Sequence, residues 1–165
     1  MNVDSKPPGG ILSEPLAPEH NLSAFTCGNP KLDAWLRSYA LQAEARRTAR
    51  TYVWRRRQGL IIAYYSLAAD VIVRVGLPPS FSHGEPERIP SVLLARLAVS
   101  RSEQGSGLGG AVLGEAFDRV SALGVGARYL VVDAIDENAV AFYDHYGFRR
   151  VPGSMRLVHK TAGPL

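Results

Sequence analysis

The chain has 165 residues, of which 46% are hydrophobic and 21% charged, and its formal net charge is +4. That length suits one domain with a sizeable core, and the apolar share argues against disorder. No apolar run approaches the roughly 20 residues needed to span a bilayer, and the segment from Met1 to Pro8 lacks the apolar stretch of a secretory signal, so a cytoplasmic protein without membrane contact is expected. Cys27 stands alone, which excludes an internal disulfide and a cysteine metal cluster and favours a small buried filler over a nucleophile.

Residues 1–15 are rich in Pro and Gly and read as a flexible N-terminal arm, with one short strand at Ile11-Leu12; residues 16–165 read as a single domain. Asn29-Pro30 opens a helix, since Asn caps a free backbone N–H and Pro tolerates the first helical position. Leu32, Trp35, Leu36, Tyr39, Ala40 and Ala43 give that helix an apolar face, and it fades at Arg46-Arg47. Thr51–Trp54 reads as a strand and Gln58-Gly59 as a turn. Leu60–Val75 is a long β-prone run interrupted near Asp70, and Gly76–Pro90 is loop. Val92–Val99 is a dense apolar run of the kind found in central strands covered on both faces.

A second helix runs from Leu108 to Leu123, with Glu115, Asp118 and Arg119 on its polar side. Tyr129–Asp133 reads as a buried strand. A short helix follows from Asp136-Glu137-Asn138 to Tyr146, stopped by Gly147, and Phe148–Val151 and Met155–Val158 close the chain as strands. The sum is an α+β fold, with antiparallel strands first and a strand–helix–strand–helix–strand tail.

Between the apolar strand and the second helix lies Gln104-Gly105-Ser106-Gly107-Leu108-Gly109-Gly110, with four glycines in six residues. Glycines let several N–H groups face one concavity, and the helix N-terminus adds positive charge, so a pyrophosphate is the natural occupant. A nucleotide P-loop needs Lys-Ser or Lys-Thr where this chain has Ala111-Val112. A dinucleotide fingerprint needs its first glycine almost directly after the strand and an acid about 20 residues on. Here Ser100–Gln104 intervene, and Asp133 lies 28 residues past Gly105.

Arg46, Arg47, Arg50, Arg55, Arg56 and Arg57 crowd twelve residues that hold no acid. Either acids elsewhere in the fold balance them, or they form a phosphate-facing patch for nucleic acid. Arg96 interrupts the apolar strand, as a paired structural charge or as a group that orients an RNA end. His20, His83, His145 and His159 are scattered without ligand spacing, so no metal is expected.

The turn resembles the Gln/Arg-x-x-Gly-x-Gly/Ala motif of the GNAT acetyltransferases. Asn138-Ala139-Val140-Ala141-Phe142-Tyr143, followed by Tyr146-Gly147-Phe148, resembles that family's second motif. Phe25-Thr26-Cys27-Gly28, Leu32-Asp33-Ala34-Trp35-Leu36 and Leu94-Ala95-Arg96-Leu97-Ala98-Val99 are similar to the TacT-type toxin acetyltransferases, from about residue 15 onward.

The resemblance implies a GNAT-like fold, a mixed and mostly antiparallel central sheet flanked by helices. It implies acetyl-CoA as co-substrate and the amino group of aminoacyl-tRNA as acceptor, with a block of translation as the result. It also implies a ribbon-helix-helix antitoxin as partner and a homodimer. Site residues carry over accordingly. Gln104, Gly105, Ser106, Gly107, Gly109 and Gly110 hold the pyrophosphate. The backbone of Leu97, Ala98 and Val99 pairs with the pantetheine arm, and an N–H of Val99 or Leu97 polarises the thioester. Tyr143 is the general acid. Asn138 either bonds the pantetheine or caps its helix. Arg46, Arg47, Arg50 and Arg96 are the candidate RNA contacts. Two other functions stay open at this point: a GNAT enzyme acting on a small-molecule or protein amine, and a non-catalytic acyl-CoA-binding module. The arginine cluster favours an anionic acceptor over a polyamine.

Overall fold

A computed structural model of the chain describes residues 6–161. The elements in chain order are β1 (Ile11–Pro15), α1 (Pro30–Ser38), α2 (Ala40–Arg46), β2 (Arg50–Arg56), β3 (Ile61–Val73), α3 (Pro79–Ser82), β4 (Arg88–Val99), α4 (Leu108–Ser121), β5 (Tyr129–Asp133), α5 (Glu137–His145), β6 (Arg149–Arg150) and β7 (Arg156–Lys160). The strands form one sheet in the order β1-β2-β3-β4-β5-β7-β6. β4 and β5 are parallel, with Ser91↔Tyr129, Val92↔Leu130 and Leu93↔Val131 in register. The β1–β2, β2–β3, β5–β7 and β6–β7 pairs are antiparallel. This is the mixed, mostly antiparallel α+β arrangement expected. No described helix is long and apolar enough to cross a membrane.

The chain divides into two compact units, and the long strands β3 and β4 run through both. One unit holds the described residues up to Ala68 together with Ala95–Ala116. Its core gathers Leu16, Leu22, Phe25, Leu36, Val53, Ile61, Tyr64 and Ala98. The other unit holds Ala69–Leu94 and the described residues from Phe117 to Thr161. Its core gathers Ile72, Phe81, Ile89, Tyr129, Val131, Val151 and Val158. Such apolar burial is the main favourable term in folding.

Several sequence expectations change in instructive ways. The strand at Ile11-Leu12 extends to Pro15 and pairs with β2, so residues 11–15 belong to the sheet and not to a free arm; residues 1–5 lie outside the described residues. Asn29 caps α1 as expected, its Oδ1 accepting from the N–H groups of Lys31 and Leu32. The single helix expected from Asn29 breaks at Tyr39, which has φ −124° and ψ −24°. The break shifts the apolar stripe, so that Ala40 is fully buried while Tyr39 is 57% exposed.

β3 runs through Asp70 without interruption, because the acid stays in the strand and faces Arg156, 3.6 Å away. The stretch expected as loop holds α3, anchored by the buried Phe81, and the first residues of β4. β4 is not covered on both faces throughout: Val92, Leu93 and Leu97 are only half-buried. Gly147 stops α5 with φ +88°, and a Cβ there would come within 3.3 Å of His159 Nε2.

Candidate active site

The glycine-rich turn is assembled from the end of β4. Ser100 N–H donates to Ile62 O at 2.8 Å and Arg101 N–H to Thr26 O at 2.9 Å. Arg101–Glu103 then make one 3-10 turn, and Gln104 returns to an extended conformation. Gln104 Nε2 donates to two carbonyls, Cys27 O at 2.7 Å and Val99 O at 2.9 Å. Ser106 Oγ donates to Glu103 O at 2.7 Å. Glu103 is itself held by Arg56 at 2.6 Å.

Gly105 and Gly107 have φ of +83° and +82°, in the region that favours glycine. A Cβ added to either would meet nothing within 4 Å, so the loop is open above both. α4 begins at the next residue, Leu108, and its free N–H groups and dipole favour an anion there. The residues present therefore fit a pyrophosphate. Gln104 is tied to the protein backbone through its amide nitrogen, so its first task is to shape the turn.

Ala98 and Val99 are buried and Leu97 is half-buried at the end of β4. These three residues lie past the register that β4 shares with β5. Arg96 is half-buried, and its guanidinium carbon sits 3.9 Å from the centroid of the Trp35 ring. Trp35 in turn stacks on Tyr64 with ring centroids 6.2 Å apart. Desolvation lowers the Arg96 pKa and Tyr64 partly offsets this. Arg96 is thus packed on an aromatic face, which attracts a cation through its quadrupole.

In the other unit, Tyr143 lies on α5 and is 7% exposed. Its ring packs edge-on to Phe142 at 5.1 Å and tilted to Phe148 at 5.5 Å. Burial pushes its hydroxyl well above the ordinary phenol range, so it stays protonated at neutral pH. Asp136, not Asn138, caps α5: its Oδ1 accepts from Ala139 N–H at 2.7 Å. That removes the capping role for Asn138, which is exposed.

The arginine cluster resolves into two halves. Arg50 pairs with Glu44 at 2.7 Å, Arg55 with Glu14, and Arg56 with Glu103 at 2.6 Å. Arg46, Arg47 and Arg57 are exposed, and no ion pair forms at them among the described residues. Arg46 ends α2 and Arg47 takes the left-handed conformation at φ 58°, so both project at the bend before β2.

Sequence reasoning assigned no structural role to four acids: Glu115, Asp33 and Asp70, which are buried or half-buried, and Asp133, which is exposed. Glu115, placed on the polar side of α4, accepts from Ser13 Oγ at 2.8 Å and Trp54 Nε1 at 2.9 Å. Asp33 is 5% exposed and accepts from Cys27 N–H at 2.9 Å and Thr26 Oγ1 at 3.2 Å. Asp70 and Asp133 both approach Arg156, at 3.6 and 2.8 Å, beside a cleft of about 480 Å³ that Val71, Val73, Leu77 and Met155 also line. Only the spacing of Asp33 after Cys27-Gly28 carried a signal. Cys27 itself packs against the core, and burial together with Asp33 pushes its thiol up to about 11, which makes it a poor nucleophile at neutral pH.

Comparison with known proteins gives the family. A GNAT acetyltransferase domain matches residues 83–160. A tRNA-acetylating toxin of Mycobacterium tuberculosis is 35% identical over 134 residues, 80% of each chain. The chain belongs to the GNAT acetyltransferase family and is an N-acetyltransferase by class. Within that family it is similar to the TacT-type toxins. A probable toxin TacT of Sinorhizobium fredii is 28% identical over 154 residues, 86% of this chain and 85% of the relative. The solved structure of AtaT complexed with acetyl-methionyl-tRNAfMet superposes with a TM-score of 0.85 at 30% identity, covering 92% of this chain and 95% of that one. A tyrosine-to-phenylalanine mutant of AtaT, bound to the C-terminus of the antitoxin AtaR and acetyl-CoA, gives 0.79 at 28%, covering 92% and 93%.

Proposed function

We propose that this chain acetylates the amino group of aminoacyl-tRNA with acetyl-CoA as donor, and so acts as a toxin that blocks translation. The observation that carries the donor half is the open turn at Gly105 and Gly107 at the head of α4, whose N–H groups suit a pyrophosphate. The acceptor half is supported by the tRNA-acetylating relative, by AtaT with its acetylated tRNA, and by the free arginines before and after β2.

In this reading Gly105, Ser106, Gly107, Gly109 and Gly110 hold the pyrophosphate, with Gln104 bracing the turn. The backbone of Leu97, Ala98 and Val99 pairs with the pantetheine arm, and an N–H of Val99 or Leu97 polarises the thioester carbonyl; fixed donors in a dry cleft stabilise such an oxyanion strongly. Asn138 bonds the pantetheine. The amine nitrogen attacks the carbonyl carbon, a C–N bond forms and the C–S bond breaks. The departing sulfur takes a proton from the Tyr143 hydroxyl, which burial keeps protonated. The amine gives up its proton to water, since an esterified amino acid has a weakly basic α-amino group, and water returns a proton to the Tyr143 phenolate, so the hydroxyl is restored for the next turnover.

Arg46 and Arg47 contact tRNA phosphates, with Arg50 and Arg96 as further contacts once their present partners, Glu44 and Trp35, are accounted for. A ribbon-helix-helix antitoxin, a homodimer and a cytoplasmic location complete the reading and rest on the TacT-type resemblance. Calorimetric titration with acetyl-CoA tests the donor half. The wild type should bind one equivalent and Gly107→Glu none, because the new carboxylate fills the cradle with like charge; equal binding by both would place the pyrophosphate elsewhere.

A further inference from the structure

The Thr26-Cys27-Gly28 segment and Asp33 stood out in the sequence, yet the acetyl-transfer chemistry uses neither. The structure links both to the glycine-rich turn. We propose that Asp33 is a positioning residue for acetyl-CoA, which holds the Thr26–Gly28 segment as a brace for the pyrophosphate turn. The inference rests on reading that turn as the acetyl-CoA cradle.

The chain of contacts is continuous and lies within one compact unit. Asp33 sits in the first turn of α1, where the helix dipole favours a carboxylate. Its Oδ1 accepts from the Cys27 N–H at 2.9 Å and its Oδ2 from Thr26 Oγ1 at 3.2 Å. Both oxygens are thus spent on two successive residues of the brace. The brace then touches the turn at both ends of its approach. Thr26 O accepts from Arg101 N–H at 2.9 Å, and Cys27 O accepts from Gln104 Nε2 at 2.7 Å. Gln104 Nε2 also reaches Val99 O, which joins the brace to the last residue of β4.

Gly28 completes the fit. It has φ +93°, and a Cβ there would lie 3.1 Å from Arg101 Nε. The missing side chain lets Arg101 pack over the segment. Among the described residues neither oxygen is bonded to α1; both accept from Thr26 and Cys27 instead.

A double-mutant cycle on the full chain separates the cases, read as acetyl-CoA affinity by calorimetry. Asp33→Ala and Gln104→Ala should each weaken binding roughly tenfold, the scale of one buried hydrogen bond lost. The double variant should be little worse than the poorer single one, because both cut the same chain. The kcat of Asp33→Ala at saturating acetyl-CoA should stay within about twofold of wild type, while KM rises. Multiplying losses, an unchanged Kd or a fall in kcat with constant KM overturns the proposal.

Asp33→Asn covers the case in which the alanine variant does not fold. It keeps one acceptor oxygen, and in the absence of any ligand the Arg101 amide, which donates to Thr26 O across the brace, should exchange faster than in wild type. Equal exchange rates there overturn the brace. Faster exchange with no acetyl-CoA binding even by wild type keeps the brace and rejects the donor reading instead.

Discussion

The Arg50 guanidinium lies 2.7 Å from the Glu44 carboxylate, across the bend that joins α2 to β2. Glu44 also accepts from the Thr51 N–H at 2.6 Å, so one acid both neutralises the arginine and fixes the start of the strand. The arginine cluster is therefore part structure and part open charge, and its members should differ in what they do for RNA.

Replacing Arg46, Arg47 and Arg57 together by Ala should weaken aminoacyl-tRNA binding and flatten its salt dependence by about 0.7–0.9 log units per lost contact per log unit of salt. Arg50→Ala alone should change the slope less and the melting temperature more, because its charge is already paired. A salt series of tRNA binding for the two variants checks the difference; identical slopes would mean that exposure does not select the RNA contacts.

The cluster shows where the sequence stops being informative. Its six charges are plain in the chain, but Arg56 is neutralised by Glu103, which no local pattern links to it. The same holds for Trp54 and Glu115, 61 residues apart in the chain. Features set by short-range rules were legible: the Asn29 cap, the Gly147 stop and the glycine turn after an apolar strand. Tyr39 was misplaced because helical spacing cannot register a one-residue break in the helix. Asn138 was given a possible capping role that Asp136 takes, since either side chain could cap and only the start of α5 decides.

Tyr143→Phe should retain fold and acetyl-CoA affinity, since one hydroxyl is lost, while kcat falls by roughly 10²–10⁴. Burial raises the Tyr143 pKa above its ordinary value, so the acid form persists as pH rises. The kcat profile of the wild type should therefore show no alkaline fall from this group below a pH of about 10, the reference value for a free phenol. Steady-state rates at saturating acetyl-CoA from about pH 6 to about pH 10 check both points; near-wild-type turnover of the variant, or an early alkaline limb, would remove Tyr143 as the acid.

Glu14 should give the fold a measurable acid sensitivity. Arg55 first and His20 second hold its carboxyl down to about 2. His20 Nδ1 accepts from the Ala17 N–H, which leaves Nε2 to face Glu14 at 2.6 Å. A lowered folded pKa means that the stabilisation is complete above the ordinary glutamate range and is lost as pH falls through that range toward about 2. Glu14→Gln should melt about 1–4 °C below wild type at neutral pH, the scale of a partly exposed ion pair. Near pH 2 the gap should close. A gap that stays constant with pH would assign the loss to packing.

The central claim is transfer of an acetyl group to the amino group of aminoacyl-tRNA, and the direct measurement uses purified chain, acetyl-CoA labelled in the acetyl group, and a mixture of aminoacylated and deacylated tRNA. Label should appear on aminoacyl-tRNA alone, be released by ester hydrolysis as an N-acetyl amino acid, and be lost with Tyr143→Phe and with Gly107→Glu. Label on deacylated tRNA, on a small amine offered in competition, or on no acceptor while acetyl-CoA still binds would contradict the account.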